Sequence, residues 1–328
     1  MVKNLLASKR FRTFASTLVG VLIVYFVLVM LMQNGIIGDY QQTLIIGMGI
    51  NIILAVGLNL IIGFTGQLSL GFAGFMSIGA YAATIVTTKW DLPFIVALLF
   101  GAVVSGLIGL IIGYPILRLK GDYLAICTLG FGQIVMVILQ NIDSLGGARG
   151  LTGIPKLTDF NWIFFSAVIC IIVVRNILTS SQGRAMISVR EDEIASESMG
   201  INTTKYKILA FAIGSMLAGL AGGFYAHNYY TIAPKNFDFL KSLDILIFVV
   251  FGGMGSLSGS VIAAGVLTLL PEALRFMQNY RMVIYPILLI ILMLFRPQGL
   301  FGTRELSGIL KGAASKKKGG DKDVVARG

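Results

Sequence analysis

Apolar residues fill this chain in long blocks separated by short polar or glycine-rich stretches. A helix needs about 20 apolar residues to cross the hydrocarbon core of a bilayer. Blocks of that kind cover 14–32, 42–62, 68–87, 93–117, 123–140, 161–178 and 207–228, and shorter ones cover 243–252, 258–270 and 283–296. The pattern predicts an all-α, polytopic transmembrane helical bundle of about ten spans, with broken or re-entrant helices among them. The eighth and ninth blocks are parted by Gly252-Gly-Met-Gly-Ser-Leu-Ser-Gly259, so they read as two short helices or as a re-entrant pair. Non-helical backbone at membrane depth is tolerated only where protein buries it or a wet cavity receives it.

One stretch leaves the apolar pattern for long enough to be an element of its own. Residues 183–200 read GRAMISVREDEIASESMG. Ser180 or Ser181 can cap a helix beginning near Arg184. Ile187, Ile194 and Ile201 recur at every seventh position and predict one apolar stripe, with Arg190, Glu191, Asp192, Glu193 and Glu197 on the other faces. Gly200 can close the helix in a left-handed turn, and Asn202 and Thr203 can start the next one. An amphipathic helix between membrane spans is either a solvated connector or a knob on which a soluble partner docks.

Composition narrows the class. Charged residues make up 12% of the 328, against about 25% in soluble domains, which excludes a large soluble core. The 40 glycines suit close helix–helix packing in lipid. A net charge of +11 would fit nucleic acid, but the basic residues gather at the ends of the apolar blocks, as the positive-inside rule describes. With the N-terminus inside and the spans alternating, the inner segments hold 19 of the 26 basic residues. Both termini and the 183–200 stretch then face the cytoplasm. Residues 1–13 read as a basic cytoplasmic N-terminus, 14–302 as the membrane domain with a cytoplasmic loop at 179–206, and 303–328 as a Lys-rich tail without stable structure. The first block is too long for a signal peptide and reads as a retained span.

Candidate chemistry is sparse. No G-x-x-x-x-G-K-[ST] loop is present, so no nucleotide-hydrolysing site is expected in this chain. Cys127 and Cys170 lie in apolar runs, which offers neither a disulfide framework nor a metal site. The lone His227 reads as an interfacial residue, and Asp244 is the main ionisable group expected inside a span. The neutral polar residues Asn51, Asn59, Thr65, Ser69, Ser77, Thr128, Gln133 and Gln140 divide between a path and helix–helix bonds. Gly130 and Gly132, beside Thr128 and Gln133, are expected to weaken the fifth span near mid-membrane. A broken helix there would offer free backbone groups to an uncharged or zwitterionic substrate; the plainer alternative is a glycine-packed helix. Ser69, Ser77, Thr128, Gly130, Gly132 and Gln133 are therefore the candidate translocation path. Small residues recur at every fourth position in two ridges, Gly101–Ser105–Gly109–Gly113 and Ala210–Gly214–Ala218–Gly222–Ala226, suited to close helix packing. The motif G-x-x-G-x-L-S occurs twice, from Gly63 and from Gly252.

Together these stretches resemble the LivM-type permeases of branched-chain amino acid ABC importers. The carriers are GLNLIIGFTGQLSLGFAGF (57–75), LRLKGDYLAICTLGFG (117–132), GGARGLTGIP (146–155), the 183–207 stretch, FGGMGSLSG (251–259) and FRPQGLFG (295–302). The resemblance implies a permease paired with a second, related permease in a bacterial inner membrane. It also implies two ATPase subunits that use ATP and Mg, an external solute-binding protein, and an inverted repeat over roughly spans 2–5 and 7–10. It implies that 183–200 is the coupling helix, with Arg190, Glu191, Asp192, Glu197 and Gly200 at the ATPase contact. Glu197-Ser-Met-Gly200 matches the E-A-A-x-x-x-G pattern only loosely. Permeases for urea, amides or simple sugars share the expected fold and are the nearest alternative. A carrier acting alone is disfavoured by the coupling-like loop and by the lack of deep carboxylates.

Overall fold

The structure, a computed structural model, describes residues 20–35, 37–119 and 121–275, and eight further residues between 284 and 302. The N-terminal 1–13 segment, most of the block at 283–296 and the Lys-rich tail lie outside the described residues.

The described chain is helical almost throughout. After α1 (Gly20–Gln33) come α2 (Asp39–Thr65), α3 (Phe72–Lys89), α4 (Phe94–Ile116), α5 (Asp122–Gln140) and α6 (Phe160–Thr179). The polar stretch forms α7 (Ser181–Glu191) and α8 (Glu193–Ser198), followed by α9 (Thr203–Tyr229), α10 (Phe239–Gly252) and α11 (Leu257–Ala273). Five of these, α2, α4, α5, α6 and α9, are long and apolar enough to cross a membrane. At 1.5 Å per residue, α10 and α11 reach only about 21 and 26 Å, short of the roughly 30 Å hydrocarbon core. They pack together as a hairpin whose turn reaches the face carrying α7. The opposite face carries a short ribbon, with β1 (Leu151–Thr152) antiparallel to β2 (Thr231–Ile232).

The centre of the bundle is α9, packed against α2, α3 and α4. Glycine brings these backbones together. A Cβ on Gly79 of α3 would fall on the backbone of Gly219 in α9, and one on Gly222 would fall on the Met76 carbonyl. Gly57 of α2 faces Gly214 of α9 in the same way. The Ser105 hydroxyl lies 2.8 Å from the Ser215 carbonyl and 3.0 Å from the Phe75 carbonyl, its one proton shared across the three-helix seam. The two predicted small-residue ridges thus serve close packing, where van der Waals contact replaces the hydrophobic drive that lipid cannot supply. By contrast α4, α5 and α6 leave apolar side chains such as Leu107, Ile111, Ile126, Ile134 and Ile169 on the outside.

Two expectations change here. His227 is fully buried, not interfacial. Its Nδ1 lies 2.8 Å from the Gly223 carbonyl, its Nε2 lies 2.9 Å from the Thr87 hydroxyl, and Phe94 meets the ring edge-on. The second change concerns α5, which runs unbroken through Gly130 and Gly132. The interruption falls instead across the seam, at Gly66–Gly71 between α2 and α3. Gly132 is the residue that lets this non-helical backbone approach, since its own added Cβ would come within 3.2 Å of Gly71 Cα. Gly130 has open space where a Cβ would sit.

Candidate functional site

The polar stretch folds as two helices rather than one. Ser180 Oγ accepts a hydrogen bond from Gly183 N and caps α7. Asp192 then leaves helical geometry at φ −155°, ψ 111°, and its Oδ1 accepts from Ala195 N to cap α8. An aspartate side chain competes well for free helix-start N–H groups, and that competition splits the predicted helix. Gly200 ends α8 in the left-handed region at φ 81°, and Asn202 Oδ1 accepts from Lys205 N to open α9. Because of the break, Ile187, Ile194 and Ile201 do not form one stripe. The inward face is Met186 and Val189, both buried, while Ile194 and Met199 stand 74% and 82% exposed.

The predicted coupling residues therefore separate by task. Glu191 points outward, its side chain 71% exposed. Asp192 is a cap, and Glu197 Oε1 accepts from the Thr203 hydroxyl at 2.7 Å, closing the corner between α8 and α9. Lys207 and Glu193 pair at 2.6 Å across the same corner. Arg190 turns inward instead: Nη1 donates to the Gly63 carbonyl near the end of α2. A Cβ on Gly255 would collide with the same guanidinium.

Arg190 thereby meets both G-x-x-G-x-L-S motifs, and Asn59 locks them to each other. Asn59 is fully buried. Its Nδ2 donates to the Ser256 carbonyl and its Oδ1 accepts from Gly255 N, both at 3.0 Å. Gly63 leaves no room for a side chain between Asn59 and Gly255. Sequence reasoning saw the repeated motif but had no signal that the two copies touch.

Beyond Gly63, α2 ends in a left-handed Gly66, with Gly66 N bonded to the Ile62 carbonyl and Gln67 N to the Ile61 carbonyl. The first of these bonds, from the left-handed glycine to the carbonyl four residues back, is the αL closure of a helix. The chain then runs non-helically to Gly71. Leu70 N donates to Thr128 Oγ1 of α5, and Ala73 N donates to Ser242 Oγ of α10. Thr128 lies six residues into α5, about 9 Å from its start, so the segment passes into the membrane domain. Of the candidate path residues, Ser69, Thr128 and Gly132 meet here. Ser77 hydrogen-bonds the Gly74 carbonyl within α3, and Gln133 and Gly130 are half-buried on α5 away from the contact. Gln67, missed in the sequence, lies in the same segment and is 2% exposed. It borders a pocket of about 200 Å³ together with Thr65, Leu117, Leu124, Arg190, Glu191 and Lys207.

Comparison with known proteins bears on this arrangement. The family model described as branched-chain amino acid transport system / permease component matches residues 42–293. The high-affinity branched-chain amino acid transport system permease protein LivM of Salmonella typhimurium is 35% identical over 257 residues, 68% of this chain and 60% of that protein. LivM of Escherichia coli is 33% identical over 273 residues, 73% of this chain and 64% of its own length. The permease protein LivH of Salmonella typhimurium is 29% identical over 195 residues, 53% of this chain and 63% of that protein. The aligned part thus spans less than two thirds of each of these relatives. No solved structure matches.

Proposed function

The chain belongs to the branched-chain amino acid transport permease family, and on that premise we propose that it forms part of the membrane path of an ATP-driven importer for leucine, isoleucine and valine. The observation that carries the reading is the α7–α8 pair. It presents Glu191, Ile194 and Met199 at one end of an apolar bundle, while its inward side is fastened to the bundle through Arg190. A knob that is exposed outside and anchored inside is suited to receive force from a soluble partner. The partners are two ATPase subunits that use ATP and Mg, a second related permease, and an external solute-binding protein. The chain is a multi-pass membrane protein; we place it in a bacterial inner membrane with both termini and α7–α8 in the cytoplasm.

Among the described residues the bundle interior is mainly aliphatic, and its fully buried polar groups are neutral hydroxyls, amides and His227. Such a lining lets a branched aliphatic side chain pass without deep ionic capture, so selection falls to the binding protein. The test exchanges only the binding protein for one of another specificity that still docks. The uptake range is expected to follow the binding protein; an unchanged range would assign selection to the permease itself.

A further inference from the structure

Buried polar atoms almost always have partners, because an unmade hydrogen bond in the interior costs the full desolvation of the group. Among the described residues, Gln67 breaks this rule at both ends of its amide and Ser69 breaks it at its hydroxyl, as the Tyr81 hydroxyl and the Asn228 amide do singly elsewhere. Both residues are at least 98% buried. They sit two apart in the one stretch where α2 and α3 are interrupted. Helix formation does not explain the interruption, and apolar residues at these positions would pack without the penalty.

We propose that Gly66–Gly71 is a gate in the translocation path, and that Gln67 and Ser69 meet the charged ends of a zwitterionic amino acid when the gate opens. This assignment rests on the transport reading above. An amide suits a zwitterion: its N–H₂ donates to a carboxylate, and its carbonyl accepts from an ammonium. The serine hydroxyl can do either. None of these carries a fixed charge, so they can guide the substrate without holding it.

The structure also supplies the means of opening. Arg190 of α7 holds the Gly63 carbonyl, and its Cγ lies 3.4 Å from where a Cβ of Gly66 would stand. Movement of α7 is thereby passed to the root of the segment. The far end is tied more lightly, by the Thr128 and Ser242 hydroxyls to Leu70 N and Ala73 N. In the described conformation the gate is shut, since the polar atoms of Gln67 and Ser69 are out of reach of solvent. Opening hydrates them or gives them to the substrate, and so offsets the cost of moving the segment.

The test uses the full complex with its permease partner, ATPases and binding protein in liposomes. Gln67→Cys, in a chain carrying Cys127→Ala and Cys170→Ala, is exposed to a small charged methanethiosulfonate. The labelling rate is expected to differ at least tenfold between nucleotide-free complex and complex trapped with ADP and vanadate; equal rates in the two states would overturn the gate. This readout does not depend on what the importer carries, so a wild-type complex that fails to take up leucine rejects the amino acid reading alone. Where leucine is taken up, Gln67→Leu is expected to lower uptake at least tenfold with the complex still assembled, and Gln67→Asn to restore part of it. A residue that merely fills space would tolerate the apolar replacement, so a smaller loss in Gln67→Leu also overturns the proposal. If Gln67→Leu does not assemble, the labelling comparison decides.

Discussion

Arg190 and Glu191 are neighbours in sequence whose side chains approach to 3.9 Å yet differ in burial. The Arg190 side chain is 26% exposed and donates to the Gly63 carbonyl, whereas the Glu191 side chain is 71% exposed. A hydrogen bond from a charged donor contributes about 1.5–3 kcal/mol, and partial exposure puts Arg190 near the lower end. Arg190→Glu is therefore expected to lower the thermal midpoint of the purified protein by several degrees, at roughly 2–4 °C per kcal/mol. Glu191→Lys should leave it within about 0.5 kcal/mol of wild type and act only on ATP-driven uptake. A differential melting curve on the two variants checks the split, and equal midpoints would place Arg190 on the surface after all. Asn59 is the stronger case. Replacing it with Ala strands Gly255 N and the Ser256 carbonyl, at about 1–3 kcal/mol. The same melting measurement should show the larger fall for Asn59→Ala.

At the scale of elements, α5 gives a contrast two residues apart. Gly130 has nothing near its missing side chain, so Gly130→Ala is expected to be neutral or to stabilise by up to about 1 kcal/mol, the helix propensity difference. Gly132 abuts Gly71, and Gly71 in turn abuts the Thr128 carbonyl. Gly71→Ala should cost about 1–3 kcal/mol or more through overpacking, and Gly132→Ala less. Yield and melting of the three variants in detergent rank them. Much at this scale was legible in the sequence. The nine predicted spans that fall on described residues, from 14–32 through 258–270, all contain helices, because apolar block length is a local signal. The caps at Ser180 and Asn202 and the stop at Gly200 were legible for the same reason. The break at Asp192 was not, since an aspartate between two acidic neighbours reads equally well as helix surface. The interruption between α2 and α3 was legible in part: the blocks at 42–62 and 68–87 part around the first G-x-x-G-x-L-S motif, but the extension of the break through Leu68–Gly71 was not, because LSLGF continues the apolar run. What distinguishes that stretch is its contact with α5, which is a tertiary fact. His227 was misplaced because position near a span's end does not reveal that Thr87 and Gly223 wait to satisfy both ring nitrogens.

At the scale of the molecule, the helices sort into a buried centre and an apolar rim. Most of α2 and α9 is enclosed, while most of α4, α5 and α6 is not. Exposed apolar flanks on these outer helices are surface for lipid or, under the proposed function, for a second permease. The centre holds the interrupted α2–α3 pair, the α10–α11 hairpin and the Asn59–Arg190 clasp that joins them to α7. Under the proposed function, the energy source is outside the chain and reaches the path through the α7–α8 pair. The most direct measurement is leucine uptake by proteoliposomes that hold either this chain with its second permease alone or the full complex with ATPases, binding protein and internal ATP. Accumulation against a gradient is predicted only in the full complex with ATP, and no uptake above empty vesicles is predicted without the ATPases. Leucine uptake by the two permeases alone would contradict the account.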